Sequence, residues 1–224
     1  MRHLTPTVML LAFSLAPLTA ADLTISDLRF SAGVLSDEFI GASSTTVTDG
    51  QGNVTTTHSS EDGRDSESHY RAQLQYVGGH LGAGGGFIYG LGLAVNRATW
   101  DNGAQDGHAT SPNLNLMLGY GYAFTPNWHI EIAPFGGYGR TYYSVSDSNS
   151  SETSDEWTHY FEYGAKIGTY VALGGSLVLG VEVPYLVGRF DPEYDYNDGA
   201  NSVSVSDERR SEGFGLLVTL GGRF

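Results

Sequence analysis

The chain has 224 residues, room for a single domain, and no cysteine, which excludes disulfides, thiolate metal sites and a lipid-modified N-terminal cysteine. A formal net charge of −14 argues against a nucleic-acid partner, which needs a basic patch. The 31 glycines, 14 tyrosines, 10 phenylalanines and 3 tryptophans suit strands joined by tight turns better than helices.

Met1-Arg2-His3 leads into an apolar run from Val8 to Leu15, followed by the small residues Thr19, Ala20 and Ala21. A basic start, a short apolar core and a small-residue exit read as a secretory signal peptide cleaved after Ala20 or Ala21. That run is too short to span a membrane as a helix, and no later stretch approaches ~18 consecutive apolar residues. The expected organisation is a signal peptide, 1–21, and one exported domain, 22–224.

From Asp22 onward, eight runs alternate between apolar and small or polar residues, the period-2 pattern of half-buried strands. The first, about 24–38, carries Leu28, Phe30, Ala32 and Val34 on one face; the second, 67–79, carries Tyr70, Ala72, Leu74 and Tyr76. After a glycine-rich turn, 86–98 shows Phe87, Tyr89, Leu91, Leu93 and Val95, and 112–124 shows Leu114, Leu116, Leu118, Tyr120, Tyr122 and Phe124. The turn Thr125-Pro126-Asn127 opens 128–144, with Trp128, Ile130 and Ile132; then 157–172 carries Phe161, Tyr163, Ala165, Ile167 and Val171. Leu173-Gly174-Gly175-Ser176 turns into 177–190, with Leu177, Leu179, Val181, Val183, Tyr185 and Val187. The last run, 213–224, alternates Phe214, Leu216, Val218, Leu220, Gly222 and Phe224 with small or polar residues.

The connections near 80–85, 125–127 and 173–176 are short, whereas 39–66, 99–111, 145–156 and 191–212 are long and polar. Short turns at one end, long loops at the other and strands of at least about 9–11 residues are the asymmetry of a transmembrane barrel. Closure leaves no backbone group unpaired in lipid. The expected fold is all-β: an eight-stranded antiparallel transmembrane β-barrel with short periplasmic turns and long extracellular loops.

If the apolar phase meets lipid, the opposite phase projects Arg29, Arg71 and Lys166 with Glu131, Glu162 and Glu182 into the lumen. Asp27 and Arg223 are expected lower in the same space. Eight strands leave an interior just wide enough for side chains, so these charges must pair. A salt-bridged plug is the reading this width favours; a gated polar passage is the other. Arg97, Arg140 and Arg189 fall on the outward phase near the loop end, with Arg64, Arg209 and Arg210 above. They suggest either a rim for lipid phosphates or ordinary interfacial snorkelling. Trp100, Tyr142, Tyr143, Trp157 and Phe190 near that level, and Phe87, Phe124, Trp128 and Phe224 at the other, read as two aromatic girdles.

Most acids fall in or beside the long connections, among them Asp37, Glu38, Asp62, Asp65, Glu67, Asp147, Asp155, Glu156, Asp191, Asp195 and Asp198, so the net charge is a property of the outward loops. None of the acidic stretches has the spacing of an EF-hand calcium loop. Thr45–Thr48 and Val54–Thr57 around a glycine-rich centre read as a hairpin continuing beyond the membrane, and Ser144–Ser146 and Ser202–Val205 extend other strands in the same style. Such a fringe would have exposed edges for a partner strand. His69 and His129 are assigned to the lumen and His159 to the outer face, where it lacks an adjacent serine for a catalytic pair. No catalytic residue, metal site or cofactor is assigned.

The alternation Phe214, Leu216, Val218, Leu220, Phe224 resembles the C-terminal signal strand of bacterial outer-membrane barrels. With the signal peptide, strand number, loop asymmetry and mixed-charge lumen, the chain from 22 to 224 resembles the small eight-stranded family that includes the OmpA transmembrane domain, OmpX and the opacity-type adhesins. The resemblance implies location in the outer membrane, contact with lipopolysaccharide, and recognition of the C-terminal strand by the barrel-assembly machinery. Members of this group are structural proteins, adhesins or narrow pores. The expectation is therefore a non-enzymatic barrel that supports the envelope and offers acidic loops to surface ligands; a porin-like channel is the alternative, and an enzyme acting on outer-leaflet lipid stands third.

Overall fold

The computed structural model describes residues 22–65, 68–101, 105–147, 153–191, 193–198 and 201–224; the signal peptide expected over 1–21 lies outside them. Ten strands follow in order: β1 (Leu23–Thr48), β2 (Val54–Asp65), β3 (Ser68–Leu81), β4 (Gly86–Asp101), β5 (Gln105–Thr125), β6 (Trp128–Asp147), β7 (Thr153–Leu173), β8 (Leu177–Phe190), β9 (Glu193–Asp198) and β10 (Asn201–Arg223). All neighbouring pairs are antiparallel, and β1 bonds both β3 and β10, which closes the sheet. β2 continues the line of β3 along β1, and β9 continues that of β8 along β10. Eight staves therefore form a closed antiparallel barrel.

The register puts the apolar phase outside. Leu116, Leu118, Ile167, Leu216 and Val218 each leave half or more of their surface uncovered, and a comparable band runs across every stave. A water-soluble protein does not sustain an apolar surface of that extent; lipid covers it. The outward residues Phe214, Leu216, Val218, Leu220 and Phe224 of β10 belong to this band. Among the expected girdle residues, Trp157, Trp128, Phe87 and Phe224 are exposed, whereas Tyr143 and Phe190 are not. They point inward and pack with Ala109 and Tyr160, because they lie on the interior phase of β6 and β8. Val187 keeps the outward phase but is covered, at 3% exposure.

The long connections are more regular than the expected loops. β1 runs to Thr48 and pairs with β2 until Thr48↔Val54, so the first hairpin is strand almost to its tip. β4 and β5 pair out to Asp101↔Asp106, β6 and β7 to Ser146↔Thr153, and β9 and β10 to Asp198↔Asn201. β-branched and alternating sequences such as Thr45–Thr48 and Ser202–Val205 favour this continuation. The fringe is split: β3 and β4 part above Ser68↔Thr99, and β7 and β8 part above Tyr160↔Phe190. Two four-stranded sheets, β2-β1-β10-β9 and β4-β5-β6-β7, thus rise from one barrel, with edges unpaired among the described pairings. The side chains of Arg64, Trp100 and every loop acid named above except Asp191 lie outside the described residues.

Asp49 holds the tip of the first hairpin. One carboxylate oxygen accepts the amides of Gln51 (2.9 Å) and Asn53 (2.8 Å), while the other accepts the Asn53 side-chain amide at 2.8 Å. These bonds, the Asn53 side chain foremost, hold its carboxyl below the ordinary aspartate value. A lowered folded-state value means that the turn is supported above the ordinary carboxylate range and loses that support as pH falls through the lowered one. Amide-exchange protection factors at Thr48–Val54, taken relative to the intrinsic rate at each pH, should therefore fall in acid, and Asp49→Ala should show the reduced protection already at neutral pH.

Candidate functional site

Among the described residues, chemistry-bearing side chains converge in the barrel interior. Alternation on β1, β3, β6, β7, β8 and β10 sends Asp27, Arg29, Arg71, Glu131, Glu162, Lys166 and Glu182 inward, each at most 4% exposed, with Arg223 at the short-turn end. They form three groups stacked along the axis.

Nearest the short turns, Arg29 donates from Nη1 and Nη2 to both oxygens of Glu131, at 2.9 and 2.8 Å, and from Nη2 to Asp27 at 2.9 Å. Arg223 donates to the other Asp27 oxygen from Nε at 2.8 Å. His129 Nε2 lies 3.0 Å from Glu131, and its ring stacks on Tyr170, over which the Arg29 guanidinium sits 3.9 Å from the centroid. In the middle, Lys166 donates to Glu182 (2.9 Å) and Gln75 (3.0 Å), and Glu182 also accepts from Ser31, Thr219 and Gln73. Toward the fringe, Arg71 grips both oxygens of Glu162, at 3.0 and 2.8 Å. Asn96, Asn113, Asn115 and Tyr160 donate to the same carboxylate. Every one of these carboxylates is thus met by a cation, and Glu162 and Glu182 by neutral donors as well, the condition under which a buried charge is tolerated.

The lumen is filled. Leu23, Ile25, Val77, Leu81, Ile88 and Met117 pack at the short-turn end, and Ala109, Tyr143, Tyr160 and Phe190 close the fringe end. Between them a void of about 10 Å³ lies among Arg71, Gln75, Lys166 and Glu182, at the lower limit for one water. Sequence reasoning singled out the charges but missed the neutral partners Gln73, Gln75, Asn96, Asn113 and Asn115. Their signal was present: Gln73-Leu74-Gln75 and Asn113-Leu114-Asn115-Leu116 place amides on the same alternating phase as the charges.

The outward arginines have a different setting. Arg97, Arg140 and Arg189 are exposed on the lipid-facing phase near the fringe, and none has an ion-pair partner among the described residues. Arg210, opposite Arg189 across the β8–β10 ladder, is instead paired with Glu212. His159 is exposed with its Nδ1 2.7 Å from the Tyr138 hydroxyl; its cross-strand neighbour is Arg140. Among the described residues no serine bonds it, and no group of three His, Asp or Glu is placed to hold a metal ion.

A closed eight-stranded barrel with an apolar outer band, a paired polar interior and one long-stranded end is the architecture of a small barrel of the outer-membrane type. No protein-family model matches the chain, and no curated protein matches it. Among solved structures it is similar to Ail, the attachment invasion locus protein of Yersinia pestis, in complex with the heparin analogue sucrose octasulfate: 12% identity over 84% of this chain and 98% of that one, TM-score 0.29. Neisserial surface protein A is similar at 12% identity over 87% and 97%, TM-score 0.36. The N-terminal β-barrel domain of Pseudomonas aeruginosa OprF is similar at 10% over 79% and 98%, TM-score 0.25. Similarities this distant say nothing about activity.

Removing one member of a buried pair strands the other without solvent. Arg71→Met should therefore cost about 3–5 kcal/mol in denaturant unfolding of the bilayer-inserted protein. The Arg71→Met, Glu162→Met double variant should recover part of that, though not all, because Asn96, Asn113 and Asn115 lose their acceptor.

Proposed function

We propose that the protein is a non-conducting, non-enzymatic barrel of the bacterial outer membrane that steadies the envelope and presents an acidic β-fringe for surface contact. The observation that carries this reading is the packing of the described lumen: two apolar clusters flank three ion-paired groups, and the void among Arg71, Gln75, Lys166 and Glu182 is about the size of a single water. A channel reading would need the Arg71–Glu162 and Lys166–Glu182 pairs to part together in a space too narrow to hydrate them.

Contact function then falls to the fringe. Its long hairpins project beyond the apolar band, its sequence carries most of the chain's acids, and its unpaired edges offer backbone groups to an extended partner segment. A role as an anchor for the barrel-assembly machinery suits β10, whose outward row Phe214, Leu216, Val218, Leu220 and Phe224 ends the chain.

Two measurements test the two halves. In planar bilayers the refolded protein should give no conductance steps, and Glu162→Gln or Lys166→Gln should not change a baseline that is already silent. Reproducible steps that shift with these substitutions would instead establish a water-filled passage. Deleting 43–58 should leave the barrel folded and lower binding of whole cells to a host-cell or matrix surface several-fold; undiminished binding would remove the first hairpin from the contact surface.

A further inference from the structure

The outer wall carries one notch in its lipid-facing band. On β1, β3 and β4 three outward rows lie one above another: Phe30–Leu74–Leu93, then Ala32–Ala72–Val95, then Val34–Tyr70–Arg97. The lower and upper rows are built of large side chains, while the middle row opens with two adjacent alanines. The result is a shallow, open depression whose lining includes Ala32, Gly33, Val34, Tyr70, Arg71, Ala72, Val95 and Arg97. It faces hydrocarbon, so an apolar chain is its natural content.

The upper lip adds a charge. Arg97 is exposed and has no ion-pair or hydrogen-bond partner among the described residues, whereas Arg29, Arg71, Lys166 and Arg223 are all held by carboxylates. Arg97 lies opposite Thr110 on β5, and Thr110 lies opposite Tyr142 on β6, so Arg140 sits on the far side of β5 two residues along β6 from the level of Arg97. Two strand spacings and two residues of rise separate the arginines, about 12 Å. Arg140 is likewise exposed and unpaired among the described residues.

We infer that this notch and the arginines above it form a binding site for a multiply phosphorylated glycolipid of the outer leaflet, the lipid A class. One acyl chain lies against Ala32 and Ala72 between Tyr70 and Leu74. The headgroup phosphates meet Arg97 and Arg140, whose guanidinium forks match phosphate oxygens. Two separated cations favour a headgroup with two phosphates over a phospholipid with one. The inference rests on the proposed outer-membrane location, since it takes the fringe end of the barrel to be the outer leaflet side.

The test is native mass spectrometry of the refolded, detergent-solubilised barrel titrated with bisphosphoryl lipid A, monophosphoryl lipid A and phosphatidylglycerol. Variants are Arg97→Gln, Ala72→Leu to fill the notch, and Val181→Leu on the opposite wall; heat-modifiable gel mobility verifies folding of each. Bisphosphoryl lipid A should bind tightest, and Arg97→Gln and Ala72→Leu should each weaken it roughly tenfold, the scale of one charge-assisted hydrogen bond. Val181→Leu should leave it unchanged. Equal affinity for all three lipids, or no loss in folded Arg97→Gln and Ala72→Leu protein, overturns the site. Cell fractionation is scored separately: wild-type protein outside the outer membrane would defeat the proposed location, whereas outer-membrane protein with unaltered lipid binding in the variants would defeat only this inference.

Discussion

Everything inside this barrel depends on the narrowness of its lumen. Eight tilted staves leave space for side chains and little else, so a cation on β3 reaches a carboxylate on β7 directly, as Arg71 reaches Glu162. Buried ion pairs of this kind add little net stability over a well-packed apolar interior. Their stronger effect is on register. A one-residue slip turns every side chain to the opposite face, and would move the lumen arginines and lysine into lipid at about 2–4 kcal/mol each near the bilayer midplane. The network therefore penalises misregistered barrels more than it rewards the native one.

Shape complementarity completes the filling. Tyr170 lies in a slot left by two glycines: a Cβ on Gly168 would meet its hydroxyl at 2.4 Å, and one on Gly180 would meet its ring at 2.4 Å. The same ring carries Arg29 on one side and His129 beside it. Absent side chains on β7 and β8 thus make room for a large one, and that large one organises the charge group nearest the short turns. The described lumen is packed like a core with ionic members.

Above the wall the structure opens out. The two fringe sheets share the barrel as a base but separate from each other above Thr99 and Phe190, so their edges are open where the wall below is continuous. Beneath them, Arg97, Arg140 and Arg189, exposed and without an ion-pair partner among the described residues, mark the upper edge of the apolar band. The molecule therefore divides its charges by role: cations and acids balanced inside, cations at the lipid boundary, acids beyond it.

The alternation of apolar and small residues determined, from the sequence alone, the strand number, the closed topology, the lipid-facing row ending in Phe224 and the inward phase of all six central charges. Period-2 patterning is a local property, and each strand declares its faces independently. The pairing of those charges was decided only by the tertiary structure, because which cation meets which carboxylate depends on barrel closure and stagger between strands far apart in the chain. The same holds for Tyr143 and Phe190, whose aromatic character suggested a girdle while their phase put them inside. The notch at Ala32 and Ala72 was equally invisible in order of sequence. Two alanines some forty positions apart become one feature only when the β1–β3 register sets them side by side.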